Sequence, residues 1–443
     1  MADERIKKSW ELYSRAKQVI PGVAQLISRR PSRAALGVSP IYAYRAKGCR
    51  IWDVDGNEYI DWHSGYGPIV LGYCDPVVDA AVKDQINRAS LYSILDEGAV
   101  YLAEELRRII PSAEMVRFCK GGGEACAIAV RIARAYTGRD KVLCCGYHGW
   151  HDWYLAANLK GEQLSEHLFN GIEPMGVPQA LVGTITPFSY GNIEVLSKLL
   201  EENRDQVACI IMEPMRSEDP PSGYLQGVRE LADRHNVVLI FDEVSSGFRI
   251  ALGGAQEYTG IIPDLTTLAK ALSNGYALGA VVGRHDCMAV AEKLFVSSAY
   301  WDDTIGIAAG IATLKELQKR EAVSHFLDVG SYFKSQINEA AKVANFGVRC
   351  GGTSAFPKIL FDIKNPILLK KAETLFAQEN ARQGILLGRG IFLNLSHDSK
   401  IVDRTTEMVT NSFNIISRAL ERENIDEVLE VPIQSESFRR IVE

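Results

Sequence analysis

Two charged residues, Asp242 and Lys270, stand where their neighbours would make them chemically useful. Asp242 directly follows the apolar run VVLIF at 237–241, which is typical of a buried strand. In a doubly wound sheet the carboxyl ends of the strands line the ligand crevice, so an acid there would face a ligand. The alternative is that Asp242 caps the next helix. Lys270 lies among apolar and small residues. Desolvation there would favour its neutral amine, which is a nucleophile for carbonyl compounds. The alternative is an ordinary exposed lysine.

A run of three glycines, 121–123, separates the apolar run MVRFC from the helical pattern EACAIAVRIARAYTG. Glycines at a helix start expose backbone N–H groups at the positive end of the helix, which suits a phosphate group. The run matches neither the Walker A nor the G-x-G-x-x-G pattern, so a purely structural turn is the alternative.

The sequence GYHGWHDW at 146–153 places three aromatic residues and two histidines just after another apolar run. Aromatic side chains there could stack on a flat cofactor ring, or they could form part of the core. His148 and His151 have the spacing of metal ligands, but no third ligand is close in sequence. We therefore predict no metal site.

The composition excludes several other classes of protein. The 443 residues carry 49 Lys and Arg against 55 Asp and Glu, a net charge of −6 that argues against nucleic-acid binding. The longest apolar stretch, near 271–283, is too short for a membrane helix, and the charged N-terminus does not resemble a signal peptide. Nine cysteines without a C-x-x-C motif predict a reduced, cytoplasmic protein.

Short apolar runs alternate with helical patterns through the middle of the chain. This alternation predicts an α/β fold whose mostly parallel sheet is covered by helices on both faces. We predict three parts: an N-terminal segment at 1–70 that packs with the small domain, a large domain at 71–325, and a smaller α+β C-terminal domain at 326–443.

Taken in order, these motifs resemble the class III aminotransferases, and in particular their glutamate-1-semialdehyde aminomutase-like branch. The resemblance extends over nearly the whole chain. The segments that carry it are IPGV at 20–23, RIWDVDGNEYIDW at 50–62, YTGRDK at 136–141, YHG at 147–149, EP at 213–214 and DEVSSGFR at 242–249. It implies the fold type I of pyridoxal 5′-phosphate (PLP) enzymes, with PLP bound in the large domain.

The resemblance also implies roles for individual residues. Lys270 would be the Schiff-base lysine and proton shuttle, and Asp242 would pair with the pyridinium nitrogen. The other residues implied to lie around the cofactor are Gly122 and Gly123 at the phosphate, Tyr147 and Val244 on the two ring faces, and His148 and Glu213 near the ring or its entry.

The chain departs from the family pattern at the phosphate. The family often has Ser-Gly-Thr where this chain has three glycines, and a threonine supplied by the neighbouring subunit falls on Ala299. Ser297, Ser298 or backbone N–H groups could replace the missing hydroxyls. Near the N-terminus, Arg29 and Arg30 occupy the place of an arginine that binds the substrate carboxylate in the aminomutase.

The resemblance implies a homodimer with shared active sites that moves an amino group from an amino-acid donor to a small aldehyde or ketone, through a pyridoxamine phosphate form. An intramolecular amino shift of the aminomutase type is one alternative. A non-catalytic relative that binds PLP weakly is another, because phosphate-binding hydroxyls are missing.

Overall fold

A computed structural model describes residues 3–168, 172–215, 218–388 and 390–434. The chain divides into two compact units. One consists of residues 76–323, and the other consists of the described residues of 1–75 and of 324–438. Within the described ranges, no helix has the length and apolar character needed to cross a membrane.

The discontinuous unit contains a four-stranded sheet and a separate two-stranded one. The sheet has the order β1-β2-β3-β13, and strands β11 and β12 form the antiparallel pair. The strand bounds are β1 Ala43–Lys47, β2 Arg50–Asp53, β3 Glu58–Asp61, β11 Val348–Gly351, β12 Lys358–Phe361 and β13 Ile385–Leu386. Strands β2 and β3 form an antiparallel hairpin, and Gly56 in their connection has a φ of 92°, which suits glycine.

Four long helices and one short helix complete the described part of this unit. They are α1 Lys7–Val19, α11 Ala322–Val343, whose first two residues fall in the other unit, α12 Pro366–Arg382, α13 Ser399–Glu421 and the short α14 Ile425–Val428. Asn365 and Asp398 cap α12 and α13 by accepting hydrogen bonds from first-turn N–H groups.

The unit at 76–323 is built on a seven-stranded sheet of order β4-β10-β9-β8-β7-β5-β6. Its strands are β4 Met115–Cys119, β5 Lys141–Cys145, β6 Ile185–Pro187, β7 Val207–Met212, β8 Val238–Asp242, β9 Leu265–Leu268 and β10 Gly279–Gly283. Every residue of β7, β8, β9 and β10 is buried, as expected for a sheet covered on both faces.

Nine helices surround this sheet in the described residues. They are α2 Pro76–Arg88, α3 Glu97–Ile109, α4 Gly122–Thr137, α5 Asp152–Leu155, α6 Ile193–Glu202, α7 Tyr224–Arg234, α8 Gly254–Thr259, α9 His285–Met288 and α10 Thr304–Lys319. The predicted α/β fold with a mostly parallel sheet is confirmed.

Two details of the sheet differ from the prediction. The segment LTTL, which we did not predict as a strand, forms β9, and β10 runs antiparallel to both β9 and β4. The connection between β9 and β10, residues 269–278, contains only a 3-10 turn at Lys270–Ser273. A parallel pair needs a longer crossover, so this connection returns the chain antiparallel.

Candidate active site

The carboxylate of Asp242 is buried at the end of β8 and is held from four directions. One oxygen lies 2.7 Å from Nδ1 of His148 and accepts a hydrogen bond from the Cys126 thiol at 3.3 Å. The other oxygen accepts from the Thr267 hydroxyl at 3.3 Å and from the Val244 backbone N–H at 3.1 Å. Because these partners come from different elements, the orientation of the carboxylate is fixed.

The neighbouring acid, Glu243, performs the helix-capping function that was the alternative for Asp242. Its carboxylate accepts from the backbone N–H groups of Ala255 at 2.6 Å and Gln256 at 3.2 Å, in the first turn of α8. Burial raises its pKa, while these hydrogen bonds oppose the rise. Asp242 is therefore left to face the interior cluster around His148.

Cys126, His148 and Asp242 also form a group whose ligand atoms lie within 4.8 Å of one another, a set that could hold a metal ion. Their short contacts are those of hydrogen bonds centred on the carboxylate. Burial raises the pKa of the Cys126 thiol well above its ordinary value, which disfavours the thiolate that a metal would need. Hydrogen bonding therefore accounts for this cluster.

Lys270 begins the 3-10 turn that follows β9, and its side chain is half-buried. Its Nζ donates a hydrogen bond to the Ser245 hydroxyl at 2.7 Å. Its backbone φ is 45°, in the left-handed region, where a residue other than glycine is strained by about 1–3 kcal/mol. Such strain is commonly kept at functional sites because it aims a side chain that the regular strand would point elsewhere.

The three glycines form a closely packed start to α4. Gly121 precedes the helix in an extended conformation and makes no side-chain capping bond. A Cβ at Gly122 would lie only 2.7 and 2.9 Å from the two Cγ atoms of Val244, and a Cβ at Gly123 would lie 3.2 Å from Cε1 of His151. Glycine is needed here because the backbone approaches these side chains directly.

Tyr147 and Glu213 follow the ends of β5 and β7. The Tyr147 backbone N–H donates to the Glu213 carboxylate at 3.2 Å, and Glu213 is buried. The phenol ring of Tyr147 meets the edge of Tyr154 at a centroid distance of 6.3 Å. Gly146, between the end of β5 and Tyr147, turns the chain with a φ of 128°.

The remaining predicted residues lie elsewhere. Ser298 is exposed, just before the 3-10 turn Ala299–Asp302. Arg29 and Arg30 belong to the discontinuous unit, where Arg29 donates to the carbonyl of Gly65 at 3.2 Å and Arg30 is half-buried. Of the predicted residues, His148 and Val244 contact Asp242 directly. Gly122, Gly123, Tyr147, Glu213 and Lys270 are linked to them through neighbouring residues, whereas Ser298 makes no such contact among the described residues.

Sequence reasoning missed four residues of this site. Cys126 lies one helical turn beyond Gly122, so its i+4 spacing could have revealed it. Thr267 lies three positions before Lys270, and Ser245 directly follows Val244. His151 was considered only as a metal ligand, and nothing in the sequence shows its approach to Gly123.

Comparisons with known proteins show the family to which the chain belongs. The family model described as Aminotransferase class-III matches residues 33–387. A 3-aminobutyryl-CoA aminotransferase from Cloacimonas acidaminovorans is 37% identical over 411 residues, which cover 91% of this chain and 94% of that protein. A glutamate-1-semialdehyde 2,1-aminomutase from Syntrophobacter fumaroxidans is 34% identical over 426 residues, covering 91% and 96%.

A likeness to solved structures supports the fold. The PLP internal aldimine form of the FumI protein from Sphingopyxis sp. MTA144 has a TM-score of 0.86 at 24% identity, covering 96% of this chain and 98% of that one. The predicted family, fold and cofactor are confirmed, and the chain belongs to the class III aminotransferases, which are PLP-dependent enzymes.

Proposed function

We propose that Lys270 is the amine that binds PLP as a Schiff base and that Asp242 supplies the negative charge beside the ring nitrogen. One observation supports the proposal: the tripeptide 243–245, which follows β8, forms a hydrogen bond with Asp242 and another with Lys270. Asp242 accepts the Val244 N–H, and Lys270 donates to Ser245, so both groups are held at the same edge of the sheet.

When bound, PLP supplies an electron sink for the carbanion formed at the carbon that carries the amino group. The chain must keep a negative charge at the ring nitrogen for this purpose. Asp242 supports the role because it is 3% exposed and hydrogen-bonded on both oxygens. His148, Cys126 and Thr267 act as positioning residues that hold this carboxylate in place.

The remaining residues would orient the cofactor. Gly122 and Gly123 present the backbone N–H groups at the start of α4 to the phosphate, a favourable place for an anion. Val244 packs against Gly122 and would lie on one ring face, with Tyr147 on the other. Glu213 fixes the Tyr147 backbone.

Lys270 would also move the proton between the substrate and the cofactor. An amine freed from the cofactor remains beside the reacting carbon and can accept and return a proton there. Ser245 supports this role because its hydroxyl holds Nζ at 2.7 Å and fixes its direction.

Borohydride reduction followed by peptide mapping tests the Schiff-base assignment. The pyridoxyl label should appear on the peptide that contains Lys270 and should disappear in Lys270→Ala. Lys141→Ala is a matched control, because the Lys141 ammonium donates to Asn203 instead. A label on Lys120 or Lys141 in the wild-type protein would overturn the assignment.

The overall reaction that we propose is transfer of an amino group from an amino-acid donor to a small aldehyde or ketone. The name of the Cloacimonas relative suggests 3-aminobutyryl-CoA as one donor to assay. The aminomutase relatives favour a second candidate, an intramolecular amino shift in glutamate-1-semialdehyde. Stopped reactions with each substrate, with and without a separate carbonyl acceptor, distinguish the two, because only transfer requires the acceptor.

We further infer that Arg29 or Arg30 binds a substrate carboxylate and that the enzyme is a cytoplasmic homodimer. An arginine fork suits a planar carboxylate. Exposed apolar side chains in and beside the segment 297–304 support the dimer: Tyr300 is 72% exposed and Phe295 is 86% exposed. Sedimentation of Tyr300→Asp should show a shift toward the monomer, with weaker cofactor binding if this segment, including Ser298, reaches the partner's phosphate site.

A further inference from the structure

The start of α4 lacks the hydroxyls that would complete a phosphate site. Gly121, Gly122 and Gly123 offer only backbone N–H groups, and no side chain caps the helix. The carboxylate of Glu124, in the first turn, accepts a hydrogen bond from the Lys120 backbone N–H at 2.8 Å, so it is an acceptor and cannot supply the missing donor. A dianionic phosphate here therefore lacks a side-chain donor from the glycine run itself.

The imidazole of His151 lies against this glycine run. A Cβ built on Gly123 would be 3.2 Å from Cε1 and 3.4 Å from Nδ1 of His151. A side chain at position 123 would thus enter the space beside the ring. The backbone of Gly149 closes the other side, since a Cβ there would be 2.8 Å from the Cα of Gly123.

Nδ1 of His151 is buried and has no hydrogen-bond partner among the described residues. Such an atom normally has a partner, because leaving a buried polar group unpaired is costly. The ring is fixed by its stacking on Trp150, at a centroid distance of 4.5 Å. Burial lowers the pKa of His151, against the opposing charges of Glu124 and Asp152, so the neutral ring with one N–H prevails near neutral pH.

We propose that the Nδ1–H of His151 donates a hydrogen bond to the cofactor phosphate and replaces the hydroxyl that is missing at Gly123. The proposal rests on the proposed function, because it assumes that the phosphate lies at the start of α4. It accounts for three observations at once: the glycine at position 123, the His151 ring beside it and the unpartnered Nδ1 of that ring.

This contact can be tested by measuring cofactor affinity, which does not depend on catalytic turnover. The PLP dissociation constant of His151→Ala should rise about 10- to 100-fold, because a hydrogen bond to a charged group is lost. Affinity for pyridoxal, which has no phosphate, should remain unchanged. His151→Asn should keep most of the PLP affinity, because the amide can place an N–H near the position of Nδ1.

A reciprocal exchange tests the geometry. In Gly123→Ser/His151→Ala the new hydroxyl occupies the space left by the ring, and PLP affinity should recover. Gly123→Ser alone should not gain affinity, because its Cβ meets Cε1 of His151. The phosphorus NMR signal of bound PLP should shift in His151→Ala and return toward the wild-type position in the double variant. The thermal midpoint of each protein without cofactor shows whether it is folded.

The outcomes separate this inference from the proposed function. Wild-type protein that binds PLP, together with a His151→Ala variant of equal PLP affinity, overturns the inference alone. An equal loss of PLP and pyridoxal affinity also overturns it, since the effect would not involve the phosphate. Wild-type protein that binds no PLP overturns the proposed function. If Ser298→Ala weakens PLP binding and His151→Ala does not, the missing donor is Ser298.

Discussion

Replacing Gly122 with alanine should strain the site through one defined contact. The added Cβ would lie 2.7 and 2.9 Å from the two Cγ atoms of Val244. Val244 is β-branched and cannot rotate cheaply about χ1, so the side chain or the helix start must shift. Overpacking of this kind typically costs about 1–3 kcal/mol.

The contact can be isolated by a double-mutant cycle. Val244→Ala removes both Cγ atoms, so Gly122→Ala should cost little in that background. The coupling energy between the two positions should therefore approach the full cost of about 1–3 kcal/mol. Gly121→Ala is a matched control, because no atom lies within 4 Å of a Cβ at that position and its backbone is extended.

Urea unfolding of the cofactor-free protein and PLP titration together provide the assay. Gly122→Ala should lower the free energy of unfolding by the stated amount, and the displaced Val244 should weaken PLP binding as well. Gly121→Ala should change neither quantity appreciably. Equal stability of the two single variants, or strict additivity in the cycle, would refute the close packing of Gly122 against Val244.

Three further predictions follow from charge and burial. Asp242→Asn should slow turnover about 10²- to 10³-fold, as for the loss of a positioned electrostatic partner. Glu243→Gln should mainly lower the thermal midpoint. Near wild-type turnover in Asp242→Asn would exclude the proposed role of Asp242 at the ring nitrogen. Alanine at Arg29 or Arg30 should raise the donor KM about 10- to 100-fold and leave PLP affinity unchanged; an unchanged KM in both variants places the carboxylate elsewhere. Burial lowers the pKa of His397 to about 4 from 6.5, so its contribution to stability is present above pH 6.5 and is lost as the pH falls toward 4. Thermal midpoints of His397→Asn should depend less on pH in this window, and equal slopes would contradict this.

If both arginine variants leave the donor KM unchanged, Arg249 and Arg389 are the next candidates for binding the substrate carboxylate. Arg249 is only 1% exposed, which leaves little room for a substrate at its guanidinium. Arg389 lies outside the described residues. The variant series should therefore extend to Arg389.

The sequence predicted the buried strand before Asp242 and the special surroundings of Lys270, because both signals are local. The direction of β10 was not predictable from apolar content, since parallel and antiparallel strands buried on both faces have the same pattern. The role of Glu243 was also hidden, because two adjacent acids at the end of a strand differ mainly in the direction in which their side chains point. The contact of His151 with Gly123 depends on two loops meeting in space, and no spacing encodes it.

The position of β10 between β4 and β9 has a consequence for the order in which the chain is synthesised. Strand β4 ends at Cys119, yet its sheet partner is not complete until Gly283 has been made. At about 5–20 residues per second, a nascent chain waits roughly 10–30 s with β4 unpaired. The start of α4, which follows β4, is thus among the last parts of the sheet edge to be fixed. The second edge of β3 waits longer still: β3 pairs early with β2, but its other partner, β13, lies at Ile385–Leu386.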